Sequence, residues 1–538
     1  MKTATVVVAI AAAAILGAVA FAAETLEQKN GGPKDADLYS GKFFKSEESV
    51  TEGSVNGISY KAIAGTLVVH PADWNDAAQN GGAKNPDAKN DESSPEASMF
   101  FVYYAKKDAN PQERPITFIY NGGPGSATVW LHMGAWGPKR VVTADDTHNP
   151  AAPYQLVDND QTMLDASDMV FIDAPGTGFS RIAGKDKEKA FYGIDADGEA
   201  FTNFIQEFLA KYNRWNSPKY LFGESYGTPR SAVVVNDLET QHDTDFNGVI
   251  LLSQILNFDL SVDRPENNPG VNLPYELALP TYAATAWYHN KIPGTRPADL
   301  PAFVHSVENF AMGEYAAALQ QGASLAPQRR TDIANKLHAI TGLPVWYILK
   351  ADLRIDGGEF EKTLQDESGL TTGRLDTRFS GITLDPLSER SDYDPQSASI
   401  SSAYVSAFNF YVRNQLNYGQ GKLFYPSVSL FRDWDSRHKV PGSQFPGRGA
   451  ANVMPDLANA MKQNPNLKVL LMGGYFDLAT PYYEGWYEMH QLPMPLSLQR
   501  NIQYHYYQSG HMVYAHQDSL KEMHDAVAQF IRSTSNVK

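Results

Sequence analysis

The sequence contains no cysteine at all. Without a thiol, the chain cannot form a disulfide, use a thiolate as a nucleophile or bind a metal through sulfur. A lipid anchor attached to an N-terminal cysteine is excluded for the same reason. A chain of 538 residues must therefore obtain its stability from a large buried core.

Positive charge is also in short supply. The 45 Lys and Arg residues are outnumbered by 61 Asp and Glu residues, which gives a net charge of −16. No basic stripe is present to neutralise phosphates, so a nucleic-acid partner is not expected, and we interpret the acidic excess as serving solubility. The histidines are not clustered at ligand spacing and no H-E-x-x-H motif occurs, so we expect neither a metal nor an organic cofactor.

Long apolar runs are absent except at the start of the chain. There, Val6 to Val19 follows the charge of Lys2 and precedes the small residues Ala20 and Ala22. This pattern is typical of a cleaved secretory signal over residues 1–22, and a membrane anchor is the alternative. We favour the signal and expect an exported protein, periplasmic or secreted, with no stable membrane anchor after the signal is removed.

A G-x-S-x-G motif stands at Gly223 to Gly227. The residues before it, Lys219 to Phe222, are typical of a strand, and the apolar run that begins at Ala232 is typical of a helix. In this context the motif predicts a nucleophile elbow, a sharp turn that exposes the hydroxyl of Ser225 above the edge of a sheet. A plain strand-to-helix turn is the alternative, since the chain is rich in glycine.

A second glycine-rich turn, Asn121 to Gly125, follows a short strand predicted over Ile116 to Tyr120. Because glycine has no side chain, the backbone N–H groups of this turn are unobstructed. We predict that the N–H of Gly123 forms one half of an oxyanion hole and the N–H of Tyr226 the other.

Two further residues follow Ser225 in the chain order of an α/β-hydrolase triad. Asp477 comes just after a strand predicted over 467–472 and is our candidate for the orienting carboxylate, with a helix N-cap as the alternative. Among the histidines that follow it, His511 lies in a loop between a strand and the last helix, from which a general base can reach Ser225. Asp173 precedes Ser225 and is therefore interpreted as structural.

Strands and helices alternate up to a strand predicted over Val249 to Leu256, which predicts an α/β-hydrolase fold with a mostly parallel central sheet. The pattern then becomes helical, as expected of an inserted cap, with helices predicted near Tyr275 to His289, Leu300 to Gln320, Pro327 to Thr341 and Ser401 to Gln415. We therefore divide the chain after the signal into a flexible N-terminal segment (23–46), a first core part (47–258), a cap region (259–450) and a second core part (451–538).

Four segments together resemble the serine carboxypeptidase family: Asn121 to Gly125 (NGGPG), Asp173 to Ser180 (DAPGTGFS), Gly223 to Gly227 (GESYG) and Gly510 to Val513 (GHMV). The resemblance implies an α/β-hydrolase that removes single residues from the C-termini of peptide substrates. It also implies that Asn121 and Glu224 bind the terminal carboxylate of the substrate. Because two carboxylates meet only if they share a proton, binding is expected to be best at acidic pH.

The chain departs from this family in places. The resemblance implies a second acidic residue shortly before Gly137, where the chain has Ala135 and Trp136. Carboxylate recognition is therefore expected to be weaker, or its acid optimum less pronounced. Arg230 either helps to neutralise the substrate carboxylate or forms a surface salt bridge, and the alternative for Glu224 is a turn residue that faces solvent.

Other functions use the same motifs. An esterase, an acyltransferase or a peptidase that acts from the N-terminus would need the same triad of Ser225, Asp477 and His511. A catalytically idle binding protein on this fold is expected to lack a member of the triad, and all three are present. The preferred C-terminal residue depends on the cap and is not predicted.

Overall fold

The structure is a computed structural model that describes residues 44–71, 74, 94–430 and 432–537. The predicted signal over residues 1–22 lies outside the described residues, as does nearly all of the predicted flexible segment over residues 23–46. No helix in the described part of the chain combines the length and the apolar character needed to cross a bilayer.

The strands are, in chain order, β1 (Glu48–Val55), β2 (Ile58–Val69), β3 (Glu96–Lys106), β4 (Ile116–Tyr120), β5 (Lys139–Val141), β6 (Leu156–Asp158), β7 (Asp168–Ile172), β8 (Arg181–Ala183), β9 (Lys219–Glu224), β10 (Gly248–Leu252), β11 (Leu370–Thr372), β12 (Ser380–Ile382), β13 (Lys468–Gly474) and β14 (Ile502–Tyr507). Most of them form one large sheet in the order β1-β2-β3-β7-β4-β9-β10-β13-β14, with β8 paired to β3. The pairs β5–β6 and β11–β12 form two small sheets.

The large sheet is mostly parallel. The strands β7, β4, β9, β10, β13 and β14 run in one direction, whereas β1, β2 and β3 form an antiparallel extension that also pairs antiparallel to β7. The chain starts the parallel part at β4, adds β7 on one side and then β9 on the other, so that the strand order reverses between β4 and β9. The predicted α/β-hydrolase fold is confirmed, and such a reversal opens a crevice at the carboxyl ends of the strands.

The helices are α1 (Lys187–Phe191), α2 (Ile194–Lys211), α3 (Gly227–Gln241), α4 (Leu273–Tyr288), α5 (Leu300–Phe310), α6 (Ala316–Gln321), α7 (Pro327–Thr341), α8 (Val345–Lys350), α9 (Gly357–Thr363), α10 (Pro395–Asn414), α11 (Met454–Gln463), α12 (Tyr482–His490) and α13 (Gln517–Thr534). The helices α2, α3 and α11 pack on one face of the large sheet, and α10 and α13 cover the other face. The parallel strands β4, β7, β9 and β10 are buried throughout. Burial on both faces explains their nearly continuous apolar sequences.

Several element boundaries differ from those predicted from the sequence. The strand predicted to reach Leu256 ends at Leu252, because Ser253 adopts a left-handed φ of +53°. The helix predicted over Leu300 to Gln320 contains a π-helical turn, Ala311–Tyr315. Helix α10 begins at Pro395 rather than at Ser401, and β1 has no counterpart in the prediction.

The early start of α10 has a local cause. The carboxylate of Asp394 accepts a hydrogen bond from the backbone N–H of Ser397 at 2.7 Å, which caps the first turn. Proline at the first helical position, here Pro395, lacks the N–H that this turn would leave unpaired. A cap and a proline were thus available in the sequence as signals for this boundary.

The region between residues 259 and 450 contains helices α4 to α10. Much of it packs around an apolar cluster of its own that includes Val262, Tyr282, Ile333, Leu337 and Phe360. The division of the chain into core parts and a cap stays a prediction, but the cluster shows how this region is held together without cysteine.

Candidate active site

The G-x-S-x-G motif forms the turn between β9 and α3. Ser225 has a φ of +58°, in the left-handed region that residues with a side chain rarely adopt. The turn is held in this conformation because the N–H of Ser225 donates to the carbonyl oxygen of Leu252 at 3.0 Å and its own carbonyl accepts from the N–H of Thr228 at 2.8 Å. Strain of this kind is maintained only where the surroundings fix it, as at a nucleophile elbow.

Both glycines of the motif are required by close backbone contacts. A Cβ atom at Gly223 would lie 2.1 Å from the carbonyl oxygen of Gly227, and one at Gly227 would lie 2.9 Å from the carbonyl oxygen of Tyr120. Any side chain at Gly223 would therefore push α3 away from β9, and with it the turn that carries Ser225.

The loop after β4 lies directly against the elbow. A Cβ atom at Gly122 would be 2.3 Å from the backbone nitrogen of Tyr226, and Gly123 has a φ of +110°, which favours glycine. Gly123, Tyr226 and Ser225 all line one cavity. The structure thus brings the two predicted oxyanion donors to the candidate nucleophile, while the oxyanion hole itself stays a prediction.

Asp477 and His511 form a buried pair. The Nδ1 atom of His511 lies 2.9 Å from Oδ2 of Asp477, whose side chain is fully buried. The other oxygen, Oδ1, accepts from the backbone N–H groups of Ala479 at 2.9 Å and Thr480 at 3.0 Å. The carboxylate is therefore held from both sides in an orientation that fixes the imidazole.

The helix N-cap alternative for Asp477 is wrong. Helix α12 begins at Tyr482 and its N-cap position is Pro481. The hydroxyl of Thr480 instead adds a donor to Asp477 Oδ2 at 2.9 Å and lies 3.2 Å from the His511 Nδ1 atom. Thr480 is a site residue that sequence reasoning missed, although its position three residues after the predicted acid was visible.

The environment of His511 favours its protonated form. Burial lowers the pKa of His511, but the neighbouring carboxylates of Asp477 and Glu224 outweigh burial and the opposing charge of Arg374, so that the pKa lies above its usual value. With Nδ1 directed at Asp477, the Nε2 atom is left to exchange a proton with a nucleophile.

A cavity of about 370 Å³ contains the candidate residues Asn121, Gly123, Glu224, Ser225, Tyr226 and His511. The region predicted to be the cap supplies other parts of its wall, namely Ser261, Asp263, Arg374, Leu375, Ser397, Ile400 and Ser401. No local motif marks these residues, because they reach the cavity only through the packing of distant segments.

Glu224 lies next to the nucleophile and is only 3% exposed. The alternative that it is a turn residue facing solvent is therefore wrong. Burial is the largest influence on Glu224 and raises the pKa of this carboxyl to about 7, against the opposing effects of His511, Tyr514 and Asn121. Glu224 is thus able to hold a proton, and donate it in a hydrogen bond, at mildly acidic pH.

Asn121 lies beside Glu224. Its Oδ1 atom accepts from the backbone N–H of Leu131 at 3.0 Å, and its side chain lowers the pKa of Glu224, as a donor does. The two residues that the family resemblance assigns to carboxylate binding are therefore close together and both border the cavity that contains Ser225.

Arg230 does neither of the two things considered from the sequence. Its side chain is completely buried and forms an ion pair with Asp197 at 2.6 Å, so a surface salt bridge is wrong. It is also not part of the cavity wall. The guanidinium instead packs against the ring of Phe201, 4.2 Å from its centroid, and donates to the carbonyl oxygen of Asn121.

Asp173 supports the loop that follows β4. Its Oδ1 atom accepts from the backbone N–H of Thr128 at 2.8 Å, and burial raises its pKa to about 7. A Cβ atom at Gly178 would be only 1.7 Å from Asp173 Oδ2, so the glycine is required where the loop folds over the acid. These contacts agree with the structural interpretation.

A second, more apolar cavity of about 620 Å³ lies beside the first. Tyr226 and Phe258 line both cavities. Its other walls include Leu430 and Trp434, and the Trp434 ring meets the Tyr226 ring edge-on at 5.1 Å. Ser225 lines the first cavity and not the second.

A family model described as serine carboxypeptidase matches residues 89–263, which contain both the loop after β4 and the elbow. Over this segment the chain is similar to the serine carboxypeptidase family. The chain is 32% identical to "Serine carboxypeptidase-like 2" of Arabidopsis thaliana over 135 residues, which is 24% of this chain and 29% of the relative. It is 26% identical to "Serine carboxypeptidase-like 13" of the same plant over 188 residues, 34% of this chain and 41% of the relative.

The chain thus spans less than half the length of these serine carboxypeptidase relatives. Asp477 and His511 lie outside the segment that the family model matches. The similarity to the serine carboxypeptidase family therefore rests on the half of the site that contains the elbow and the loop after β4.

The chain shows only a distant likeness to solved structures. A proline iminopeptidase from Mycobacterium smegmatis has a TM-score of 0.34 and 12% identity, covering 90% of this chain and 99% of that one. A thioesterase domain from the curacin biosynthetic pathway has a TM-score of 0.31 and 9% identity, with the same two coverages. Scores this low carry no inference about substrate.

Proposed function

We propose that the protein is a serine-type carboxypeptidase that hydrolyses the C-terminal peptide bond of peptides through an acyl-enzyme on Ser225. The observation that carries this proposal is the position of Glu224, a buried carboxyl that borders the same cavity as Ser225 and His511. A generic esterase has no need of an ionisable carboxyl beside its nucleophile. A carboxypeptidase needs a donor there for the terminal carboxylate of its substrate.

In the proposed reaction, His511 accepts the proton of the Ser225 hydroxyl, and the serine oxygen attacks the carbonyl carbon of the last peptide bond. The N–H groups of Gly123 and Tyr226 donate to the oxyanion that forms. Asp477 holds the imidazole in the required tautomer and stabilises its positive charge. The protonated His511 then gives its proton to the leaving amine, and a water molecule hydrolyses the acyl-enzyme by the same steps.

Recognition of the terminal carboxylate depends on the protonation of Glu224. Below its pKa of about 7, the neutral carboxyl donates a hydrogen bond to the substrate carboxylate. Above that pH, Glu224 carries a negative charge that repels the substrate, so KM is expected to rise. Asn121 supplies a donor that does not titrate.

The partners and the location are part of the same proposal. Peptides with a free C-terminus are the substrates, and nucleic acids are not partners of a chain with a net charge of −16. The signal predicted over residues 1–22 directs the protein to the periplasm or the exterior, with no stable membrane anchor after its removal.

The decisive experiment measures release of the C-terminal amino acid from N-blocked dipeptides between about pH 4.5 and pH 8.5. The matching dipeptide amides serve as competing substrates, and the Ser225→Ala variant serves as the blank. We expect free acids to be cleaved much faster than amides, with a KM that rises with pH.

Two other results would overturn the proposal. A preference for amides, simple esters or free N-termini would leave the triad intact and identify an esterase, acyltransferase or N-terminal peptidase instead. Failure of a fluorophosphonate probe to label wild-type protein at Ser225 would identify an idle binding protein, since the probe reports only an activated serine.

A further inference from the structure

Two buried polar atoms, which belong to side chains that influence each other's pKa, have no hydrogen-bond partner among the described residues. They are Oε2 of Glu224 and the hydroxyl of Tyr514, and neither completes a hydrogen bond of normal geometry with a described residue. Both side chains are nearly inaccessible to solvent, at 3% exposure each. Unpaired buried polar groups are costly, and a hydrogen bond from this phenol donor to this carboxyl acceptor would satisfy both groups at once.

The position of Tyr514 follows from the loop that carries the base. Tyr514 lies in a 3₁₀ turn, Val513–Ala515, that begins two residues after His511. A Cβ atom at Gly134 would be 2.6 Å from Cδ2 of Tyr514 and 2.7 Å from the hydroxyl of Tyr404. The absence of a side chain at Gly134 therefore makes room for two phenol groups beside Glu224.

The groups that act on Glu224 come from several elements. His511, Tyr514 and Asn121 favour its ionised form, whereas burial, which is the largest influence, and the charge of Asp477 oppose ionisation. Tyr404 also lies within range, since Glu224 contributes to the raised pKa of that phenol. Burial, with Glu224 as the next cause, holds the pKa of Tyr514 well above its usual value, so Tyr514 stays a neutral donor throughout the range of a peptidase assay.

We propose that Tyr514 is a positioning residue for substrate carboxylate recognition: its hydroxyl donates to one oxygen of the Glu224 carboxyl and directs the proton on the other oxygen toward the substrate. This inference rests on the proposed carboxypeptidase function and adds a residue to it. A protonated carboxyl has one acceptor oxygen and one donor oxygen. With Tyr514 bound to the acceptor, the donor faces the cavity, where the terminal carboxylate of the substrate lies.

Removal of the Tyr514 hydroxyl is expected to change KM in two ways, one in its pH dependence and one in its value at acidic pH. A merely structural role would not produce this combination. In Tyr514→Phe, Glu224 loses a donor that stabilises its ionised form, so the pH at which KM begins to climb moves upward. At acidic pH, the Glu224 proton is no longer directed, so KM rises by about tenfold, the effect of one charge-assisted hydrogen bond. The value of kcat is expected to stay within about twofold, because Ser225, His511 and Asp477 are unchanged.

The matched control is Tyr404→Phe. It removes the other phenol hydroxyl near Gly134. The side chains that lower the pKa of Glu224 as hydrogen-bond donors are Tyr514 and Asn121, whereas the partner of Tyr404 is the side chain of Thr143. We expect its KM profile against pH to superimpose on that of the wild type. Replacement of Tyr514 by 3-fluorotyrosine keeps the ring and makes the hydroxyl a stronger donor. The pH at which KM begins to rise should therefore decrease.

The test is KM and kcat against pH for wild type, Tyr514→Phe, the 3-fluorotyrosine protein and Tyr404→Phe, with N-blocked dipeptides. The proposal is supported if the pH at which KM begins to rise moves upward in Tyr514→Phe, moves downward in the 3-fluorotyrosine protein and does not move in Tyr404→Phe. Equal profiles for wild type and the 3-fluorotyrosine protein overturn it, even if Tyr514→Phe does not fold. A wild-type enzyme that cleaves amides as well as free acids overturns the proposed function itself, which is a distinct result seen without any variant.

Discussion

The guanidinium of Arg230 donates to the backbone carbonyl oxygen of Asn121 across 2.7 Å. Arg230 belongs to α3, which follows the candidate nucleophile, and Asn121 begins the loop that carries a candidate oxyanion donor. Asp197 of α2 holds the guanidinium in place through two hydrogen bonds, of 2.6 and 3.0 Å. A single buried ion pair therefore ties together the two halves of the site that β4 and β9 deliver separately.

We expect Arg230→Met to destabilise the protein by about 3–5 kcal/mol, because it leaves the Asp197 carboxylate buried without a partner. The double variant Arg230→Met, Asp197→Leu should recover much of this stability, since no uncompensated charge remains. The double variant should not recover kcat, because the hydrogen bond from residue 230 to the carbonyl oxygen of Asn121 is still missing. Urea denaturation and peptidase kinetics check both statements, and a single variant that loses less than about 1 kcal/mol would contradict the first.

Gly122→Ala should reduce kcat by about 10²- to 10³-fold, the usual effect of displacing one oxyanion donor. The added methyl group would lie 2.3 Å from the backbone nitrogen of Tyr226, so the loop or the elbow must move. The matched control is Gly449→Ala, where a Cβ atom would meet nothing within 4 Å. Equal kcat values for the two variants would show that Tyr226 N–H takes no part in the reaction.

Asp477→Asn should lower kcat by about 10³- to 10⁴-fold with little change in KM, because an amide at this position favours the wrong tautomer of His511. The buried contacts of Asp477 with Ala479 and Thr480 are retained by the isosteric side chain. Steady-state kinetics with an N-blocked dipeptide give the measurement, and circular dichroism verifies the fold. A loss below tenfold would remove Asp477 from the triad.

Glu224→Gln should make KM nearly independent of pH. In the wild type, the neutral carboxyl is the substrate donor below its pKa of about 7, and KM rises as the group ionises above it. The amide of glutamine donates at every pH and never carries a charge. KM measured from acidic to mildly basic pH should therefore climb for the wild type and stay flat for the variant, and parallel curves would contradict the role of Glu224.

His438 should contribute stability that disappears at alkaline pH. Burial lowers its pKa, but hydrogen bonds to Asp195 at 2.6 Å and Asp456 at 2.8 Å outweigh burial and raise the pKa to about 9. A raised histidine pKa stabilises the fold fully below the unfolded value of about 6.5, and this contribution is lost as the pH rises through about 9.

This prediction is tested by comparing the free energy of unfolding of His438→Gln with that of the wild type. We expect a stability difference of about 1–3 kcal/mol at pH 6, reduced from the full linkage value because Asp195 is half-exposed. The difference should shrink steadily toward pH 9, measured by urea denaturation. A difference that does not change with pH would show that His438 is neutral in the folded protein.

Local sequence determined a large part of this protein. The strand, turn and helix around Ser225 are specified within about twenty residues, because the two glycines, the apolar strand and the helix that follows are all short-range signals. The chain order of Ser225, Asp477 and His511 then followed from the fold class, and the structure places all three at the carboxyl ends of the parallel strands. Their catalytic roles stay predictions, but the sequence alone was enough to predict that the three residues lie close together.

Tertiary structure alone decided what surrounds these residues. Glu224 and Tyr514 are 290 positions apart, and only the pairing of β9, β10, β13 and β14 brings their loops together. Tertiary structure also decided the position of Arg230, which is buried because Asp197 of α2 pairs with its charge. Arg374 and Ile400 likewise reach the cavity wall only through the packing of distant segments. Burial and the resulting pKa values arise from the packing of distant segments around a group, whereas a turn or a strand is fixed by its immediate neighbours in the chain.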